Sequence, residues 1–120
     1  MEQVVDQAAS SSQGGKRLRA LLALDAFDIL AGDVTPDRRD AMIDLACAIE
    51  VFQTAALVHD DIIDESDLRR GKPSAHHALE QAVHSGAIGR GLGLMLGDIL
   101  ATACIEITRR SASRLPNTDA

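Results

Sequence analysis

The sequence predicts an all-α protein, a helical bundle forming one domain. Several segments carry apolar residues at the three- and four-residue spacing of one helix face, and no segment shows the sustained alternation of a half-buried strand. Only two residues are aromatic, both phenylalanine. Because strands favour aromatic and β-branched side chains, an aliphatic, alanine-rich interior suits closely packed helices better than a sandwich or a barrel.

The first part of the chain is predicted to contain two helices. Residues 1–13 have weak helical periodicity, and a pair of glycines ends this segment. A strong helix is predicted over residues 16–30, with Gly32 well placed as its C-terminal cap. The apolar stripe of this helix is expected to comprise Leu18, Leu21, Leu22, Ala26 and Ile29.

A single long helix is predicted from Pro36 to about Asp64. Thr35 suits the N-cap position, proline suits the first helical position, and no further glycine or proline occurs before Gly71. The expected apolar stripe of this helix comprises Met42, Leu45, Ala46, Ile49, Phe52 and Ala56.

The last third of the chain is predicted to hold a loop, a short helix and another long helix. The loop covers residues 65–74, the short helix covers 75–83, and the long helix runs over 87–109. Glycine recurs every four residues along the long helix, which leaves one face nearly free of side chains. This repeat, formed by Gly89, Gly93 and Gly97, predicts the close approach of another helix.

Composition excludes several classes of protein. A formal net charge of −6 argues against a nucleic-acid-binding protein. No secretory signal and no uninterrupted apolar run long enough to cross a bilayer are visible, so we expect a cytoplasmic protein without an integral membrane segment. Cys47 and Cys104 lie in apolar helical runs, and we expect reduced core thiols rather than a disulfide or a metal pair.

Three aspartates end the predicted long helix, where the partial negative charge of the helix C-terminus makes each acid unfavourable by about 0.3–1 kcal/mol. Asp60 and Asp64 are about 40° apart on one face, whereas Asp61 lies further round. The pair could ligate Mg²⁺, which needs few protein carboxylates because water and phosphate oxygens complete its octahedron. The alternative is a solvated helix end. We expect His59 to be a supporting or structural residue rather than a ligand, and the other three histidines to be surface or packing residues.

Cations accompany the acids at two places. Residues 69–72 read RRGK, and the planar arginine fork suits phosphate oxygens, although these cations could simply neutralise the acids. Lys16, Arg17 and Arg19 open a predicted helix, where backbone N–H groups favour anions. Lys16 and Arg19 share one face and Arg17 is expected to point elsewhere; solvated charge is again the alternative. Together, the two cation groups and the carboxylates suggest loss of a diphosphate leaving group assisted by metal.

Three stretches of the chain resemble the trans-isoprenyl diphosphate synthase (polyprenyl synthetase) family. They are GGKRLR at 14–19, LVHDDIID at 57–64 and DLRRGKPSAH at 67–76, in the order and spacing of the family. Gly97-Asp98 is similar to a further family feature. The resemblance implies a helical bundle of the isoprenoid synthase type and a Mg²⁺-dependent prenyltransferase. Such an enzyme condenses an allylic diphosphate with isopentenyl diphosphate in isoprenoid biosynthesis, releases pyrophosphate and forms a homodimer.

The resemblance also implies roles for individual residues. Asp60 and Asp64 would be the Mg²⁺ ligands that bridge to the allylic diphosphate, with Asp61 in support. Arg69 resembles the arginine that binds the allylic diphosphate. Gln53 stands where the family often has histidine, and it would contact isopentenyl diphosphate together with three cations, Lys16, Arg19 and Arg70.

The resemblance implies a long prenyl product. It also implies that residues 1–120 are only part of the family's domain. Bulky residues just before the first aspartates close the pocket in this family, whereas Ala55 and Ala56 stand here, which favours geranylgeranyl diphosphate or a longer product. The second aspartate-rich motif of the family is missing, so we expect residues 1–120 to be the N-terminal part of a single domain, inactive alone. A proline common after the second arginine is replaced by Ala20, a change that we expect to be minor. The alternatives are a regulatory subunit of the same fold, against which the intact aspartates and arginines argue, a metal- or diphosphate-binding module, and a structural helical module.

Overall fold

The computed structural model describes residues 1–13, 16–32 and 34–114. Within these residues the chain forms five helices and a two-stranded hairpin, so the predicted all-α class is confirmed. The elements are α1 (Glu2–Ser11), α2 (Leu18–Leu30), α3 (Pro36–Ile63), β1 (Leu68–Arg69), β2 (Lys72–Pro73), α4 (Ala75–Val83) and α5 (Gly86–Ser113).

Local capping signals place two of the helix ends where the sequence predicts them, whereas α2 begins at Leu18 rather than Lys16 and α5 covers Gly86–Ser113 rather than 87–109. Thr35 has an extended backbone, and its hydroxyl oxygen accepts a hydrogen bond from the Arg38 N–H at 3.3 Å, which starts α3 at Pro36. Gly32 follows α2 with a φ of +67°, the left-handed conformation that glycine adopts without strain. The predicted break at the glycine pair 14–15 lies outside the described residues.

The core lies where α1, α3, α4 and α5 meet. Leu79 of α4 and Leu96 of α5 are almost fully buried at its centre, and Val4 brings α1 into the same cluster. The remaining buried members of the cluster are Ala55, Val58, Ala75 and Leu100. This packing holds the C-terminal half of α3 firmly against α5.

The glycine repeat of α5 seats α4 at close range. A Cβ atom on Gly93 would lie 2.8 Å from the Cβ of His76, and a Cβ atom on Gly89 would lie 2.5 Å from the backbone nitrogen of Glu80. Side-chain carbons do not approach other atoms so closely, so only glycine allows this packing. The predicted close approach is confirmed, with α4 as one partner.

Of the predicted apolar stripe of α3, Ala46 is buried, but most of the buried side consists of other residues. Three alanines at seven-residue spacing, Ala41, Ala48 and Ala55, are buried, whereas Phe52 is 58% exposed and Ala56 is exposed. Helices that pack closely need small residues at their contact. The alanine side of α3 therefore faces the interior of the described bundle, together with Val58.

Two further predictions about burial are wrong. None of the residues of α2 is buried by the described parts of the chain, and Leu22 is 67% exposed. Cys47 is exposed and Cys104 is half-buried; both are free thiols, so the expectation of core thiols fails for Cys47. Helical periodicity identifies an apolar side but not the element that covers it.

The predicted loop at 65–74 contains a small antiparallel hairpin, in which Leu68 pairs with Pro73 and Arg69 with Lys72. Both turn residues have positive φ, 54° for Arg70 and 76° for Gly71, as a type I′ turn requires. Strands of two residues are too short to show alternation, and arginine is unusual at the first turn position. The hairpin could therefore not be predicted from the sequence pattern.

Two helices, α3 and α5, are long and apolar enough to cross a membrane by length and composition alone. Core helices of soluble proteins pass the same test, so the finding is weak evidence for a membrane protein. The absence of an integral membrane segment stays a prediction.

Candidate functional site

The aspartates at the end of α3 divide between two environments. Asp60 and Asp64 are exposed, and the Asp64 N–H donates to the Asp60 carbonyl oxygen at 2.9 Å, which places these residues one helical turn apart. Asp61 is buried, with 3% of its surface exposed. The structure thus leaves two carboxylates, rather than three, open to a ligand.

Asp61 forms a bidentate ion pair with Arg69 on the hairpin. The Arg69 Nε donates to Asp61 Oδ2 at 3.1 Å and the Arg69 Nη2 donates to Asp61 Oδ1 at 2.5 Å. The hydrogen bond to Asp61 raises the pKa of Arg69; burial opposes this shift, and the negative charges of Asp61, Asp60 and Asp64 add to it. The pair ties the hairpin to the acidic end of α3.

The predicted isopentenyl-diphosphate residues meet in one cleft of about 380 Å³, which we call the cation cleft. Lys16, Arg19, Gln53 and Arg70 all line it. They come from the start of α2, from α3 and from the hairpin turn, so only the fold brings them together. Polar groups that converge on a concave surface are typical of a binding site.

Arg17 also lines the cation cleft, which corrects the expectation that it points elsewhere. That expectation assumed a helix starting at Lys16, whereas α2 begins at Leu18 and Arg17 has a left-handed backbone with φ 57°. Helical angles therefore do not apply to residues 16 and 17. The guanidinium of Arg17 donates to the carbonyl oxygen of Ser12.

Glu50 is a site residue that the sequence analysis missed. It lines the cation cleft from α3, and its Oε1 accepts a hydrogen bond from the Ala20 N–H at 3.0 Å. Glu50 precedes Gln53 by three residues, so both lie on a similar side of α3. The start of the predicted helix at 16–30 has no Ser, Thr or Asp as a cap. This lack, together with the spacing of Glu50 and Gln53, could have indicated that Glu50 belongs to the site.

A second cleft of about 400 Å³ adjoins the cation cleft. Arg70 lines both clefts, and its Nη1 donates to the carbonyl oxygen of Gln13 at 3.2 Å. Asp61, Arg69 and Lys72 line only the second cleft. Arg70 thus lines both clefts, whereas Arg69 lines only the second.

His59 faces α5. Its Nε2 lies 3.1 Å from the Leu94 carbonyl oxygen and 3.5 Å from Asp98 Oδ1. A Cβ atom on Gly97 would overlap the imidazole ring, so this glycine makes room for His59. The structural role expected for His59 fits these contacts, and α3 is the second close partner of the glycine repeat.

His76 is buried, with its Nδ1 3.3 Å from the Ser74 hydroxyl oxygen, and acts as a packing residue, as predicted. Its contact with Gly93 explains why it sits in the interior.

The donor atoms of the site fit a magnesium ion shared with a ligand. Within the residues that the structure describes, no three His, Cys, Asp or Glu side chains form a group that could hold a metal. Asp60 and Asp64 are therefore too few for a cage made only of protein. They suit Mg²⁺, which proteins usually bind through one or two carboxylates while phosphate and water oxygens supply the remaining ligands.

The two alanines proposed to shape a chain-length pocket lie on different sides of α3. Ala55 is 3% exposed and belongs to the core cluster, whereas Ala56 is exposed on the side of Asp60, one turn earlier. The chain-length role of the two alanines stays a prediction.

Comparison with known proteins gives one family. The sequence model of the family described as polyprenyl synthetase matches residues 2–118. Geranylgeranyl pyrophosphate synthase 11, chloroplastic, from Arabidopsis thaliana is 35% identical over 95 residues, which are 78% of this chain and 23% of that protein. Octaprenyl diphosphate synthase from Escherichia coli is 34% identical over 80% of this chain and 25% of the relative. Farnesyl diphosphate synthase from Geobacillus stearothermophilus is 36% identical over 91% of this chain and 33% of the relative.

A solved structure supports the same relationship. The chain is similar to geranylgeranyl pyrophosphate synthase from Corynebacterium glutamicum, complexed with isoprenyl diphosphate and magnesium, with a TM-score of 0.77 and 29% identity. The match covers 90% of this chain and 33% of the other. The matched part of the chain thus spans 23% to 33% of the length of these proteins.

Proposed function

Because the chain belongs to the polyprenyl synthetase family, we propose that it contributes to the condensation of an allylic diphosphate with isopentenyl diphosphate, with release of pyrophosphate. The observation that carries the proposal is the cation cleft, where Lys16, Arg19, Gln53 and Arg70 converge from three parts of the fold. A solvated helix end has no need for such convergence.

The cation cleft is suited to hold a diphosphate. Each arginine offers a planar fork of N–H donors that matches phosphate oxygens, and Lys16 adds a compact charge. The side chain of Gln53 can donate an N–H to the same anion. We assign isopentenyl diphosphate to this cleft, as the sequence predicts.

We assign the allylic diphosphate to the second cleft, which Asp61 and Arg69 line. The exposed Asp60 and Asp64 line neither of the two clefts and flank Asp61 at the end of α3. The ion pair with Asp61 uses Nε and Nη2 of Arg69 and leaves its Nη1 for an anion. Asp60 and Asp64 would hold Mg²⁺, which when bound stabilises the negative charge on the departing pyrophosphate. The role of Asp61 is then to hold Arg69, which supports the diphosphate site indirectly.

We propose a long product, with geranylgeranyl diphosphate favoured, on the basis of Ala56. Its methyl group, one turn before Asp60, leaves space beneath the carboxylates. Phe52, one turn further, is the first bulky side chain on that exposed part of α3. The named relatives include farnesyl, geranylgeranyl and octaprenyl synthases, so the proposed product length rests on the small side chain of Ala56 alone. A homodimer and a cytoplasmic location stay predictions from the sequence.

Calorimetric titration of the chain with inorganic pyrophosphate tests the proposed function. We expect Mg²⁺ to tighten binding by about tenfold, because an ion held by Asp60 and Asp64 would add positive charge for the anion. Asp60→Ala should abolish this gain and leave the metal-independent binding in place.

Asp40→Ala is the matched control, because Asp40 is an exposed carboxylate on the same helix, about 30 Å from Asp60. It should respond to Mg²⁺ as the wild type does. A wild type that binds pyrophosphate equally with and without Mg²⁺, or an Asp60→Ala variant that keeps the full gain, would count against the proposal.

A further inference from the structure

Glu50 is a carboxylate in a cleft that is otherwise suited to bind an anion. Among the described residues that line the cation cleft it is the one acid, and a carboxylate there should repel a diphosphate. We propose that Glu50 is a positioning residue that caps α2 from α3 and thereby fixes the diphosphate-binding cations. The proposal rests on the proposed function of the cleft.

The start of α2 has no cap of its own. Arg17 occupies the N-cap position, where its side chain has no acceptor atom, and no side-chain cap bond forms there. The N–H groups of the first helical turn have no partner within a helix. Glu50 supplies the missing acceptor for the Ala20 N–H, at a point thirty residues further along the chain. A negative charge at a helix N-terminus is favourable as well.

Glu50 also contacts Arg17 directly. The Arg17 Nη1 lies 3.9 Å from Glu50 Oε2, and the Arg17 side chain is 44% exposed. An ion pair of this length and exposure is weak by itself. Together with the bond from Arg17 to the Ser12 carbonyl oxygen, it holds a residue whose left-handed backbone is uncommon for anything but glycine.

These contacts connect the two walls of the cleft. Lys16, Arg17 and Arg19 all lie within four residues of the capped Ala20, while Gln53 lies one turn after Glu50 on α3. Glu50 therefore sets the distance between the cations of α2 and the amide of α3. Its charge faces the helix start and Arg17, and only 13% of its side chain is exposed, so its repulsion of a bound anion is reduced.

Three substitutions of Glu50 distinguish a positioning role from simple repulsion of the anion by its charge. If Glu50 only repelled anions, both Glu50→Ala and Glu50→Gln would tighten pyrophosphate binding. We expect instead that Glu50→Ala weakens pyrophosphate binding in the absence of metal by about five- to tenfold. This factor corresponds to the free energy lost when one helix cap is removed. Glu50→Gln keeps the Oε1 acceptor and should bind at least as tightly as the wild type. Glu50→Asp keeps the charge but is shorter by about 1.5 Å, so it should weaken binding as alanine does.

Hydrogen exchange of the Ala20 amide, followed by NMR, directly tests the hydrogen bond from the Ala20 N–H to Glu50. Exchange should be slow in the wild type and in Glu50→Gln, and about fivefold faster in Glu50→Ala and Glu50→Asp. Unchanged Ala20 exchange in Glu50→Ala, or pyrophosphate binding by that variant as tight as wild type, overturns the proposal. Should Glu50→Ala fail to fold, the comparison of Glu50→Asp with Glu50→Gln decides, and equal binding by the two overturns it.

The outcome is distinguishable from failure of the proposed function. A wild-type chain that does not bind pyrophosphate argues against the function of the cleft, whereas the exchange rates of Ala20 test the cap without any ligand.

Discussion

Gly89→Ala is expected to destabilise the chain by about 2–3 kcal/mol, enough to abolish much of the stability of a small domain. The added methyl group would lie 2.5 Å from the backbone nitrogen of Glu80 on α4. A backbone atom cannot rotate away as a side chain can, so α4 and α5 must move apart. Urea unfolding followed by far-UV circular dichroism measures the change.

Gly91→Ala is the matched control, since this glycine is in the same helix and, apart from the backbone of its own helix turns and its chain neighbours, no described atom lies within 4 Å of the position of its new Cβ. It should stabilise the chain by about 0.5–1 kcal/mol, because alanine loses less backbone entropy than glycine in a helix. Equal effects of the two substitutions would show that α4 does not pack on α5 at Gly89.

Arg69→Ala is expected to destabilise the chain by about 2–3 kcal/mol, and more than Asp61→Ala does. The Asp61 side chain is 5% exposed, so removal of Arg69 leaves a buried carboxylate without its partner. The Arg69 side chain is 37% exposed, so removal of Asp61 leaves a cation that water can still reach. We expect Asp61→Ala to cost about 1 kcal/mol, because water can hydrate the partly exposed Arg69 after its partner is lost.

Chemical unfolding of both single variants and of the double variant measures the asymmetry and the coupling. The double variant should lose less stability than the two singles together, because the shared contact is counted once. An Asp61→Ala variant less stable than Arg69→Ala, or strictly additive losses, would contradict the role of Asp61 as the partner that holds Arg69.

The predicted site and the observed site agree where the determining interactions are local. The pairing of Asp60 with Asp64 depends only on helical geometry within one turn, and the structure confirms that they lie one turn apart. The sequence analysis, in contrast, did not predict which side of α3 is buried, and so did not predict the burial of Asp61 and Ala55. Both residues face inward, one against Arg69 and the other in the core.

The sequence by itself determined the order of the helices, several of their ends and the family, because caps, glycine positions and the three motif stretches act within a few residues. Thr35 with Pro36, and Gly32, mark their helix ends without help from the rest of the chain. Only the tertiary structure decided which faces are buried, how Arg17 enters the cation cleft, and that Glu50 caps a helix thirty residues away. Those features depend on the distance between helices, which the small residues of α3 and α5 set through packing and which no local pattern specifies.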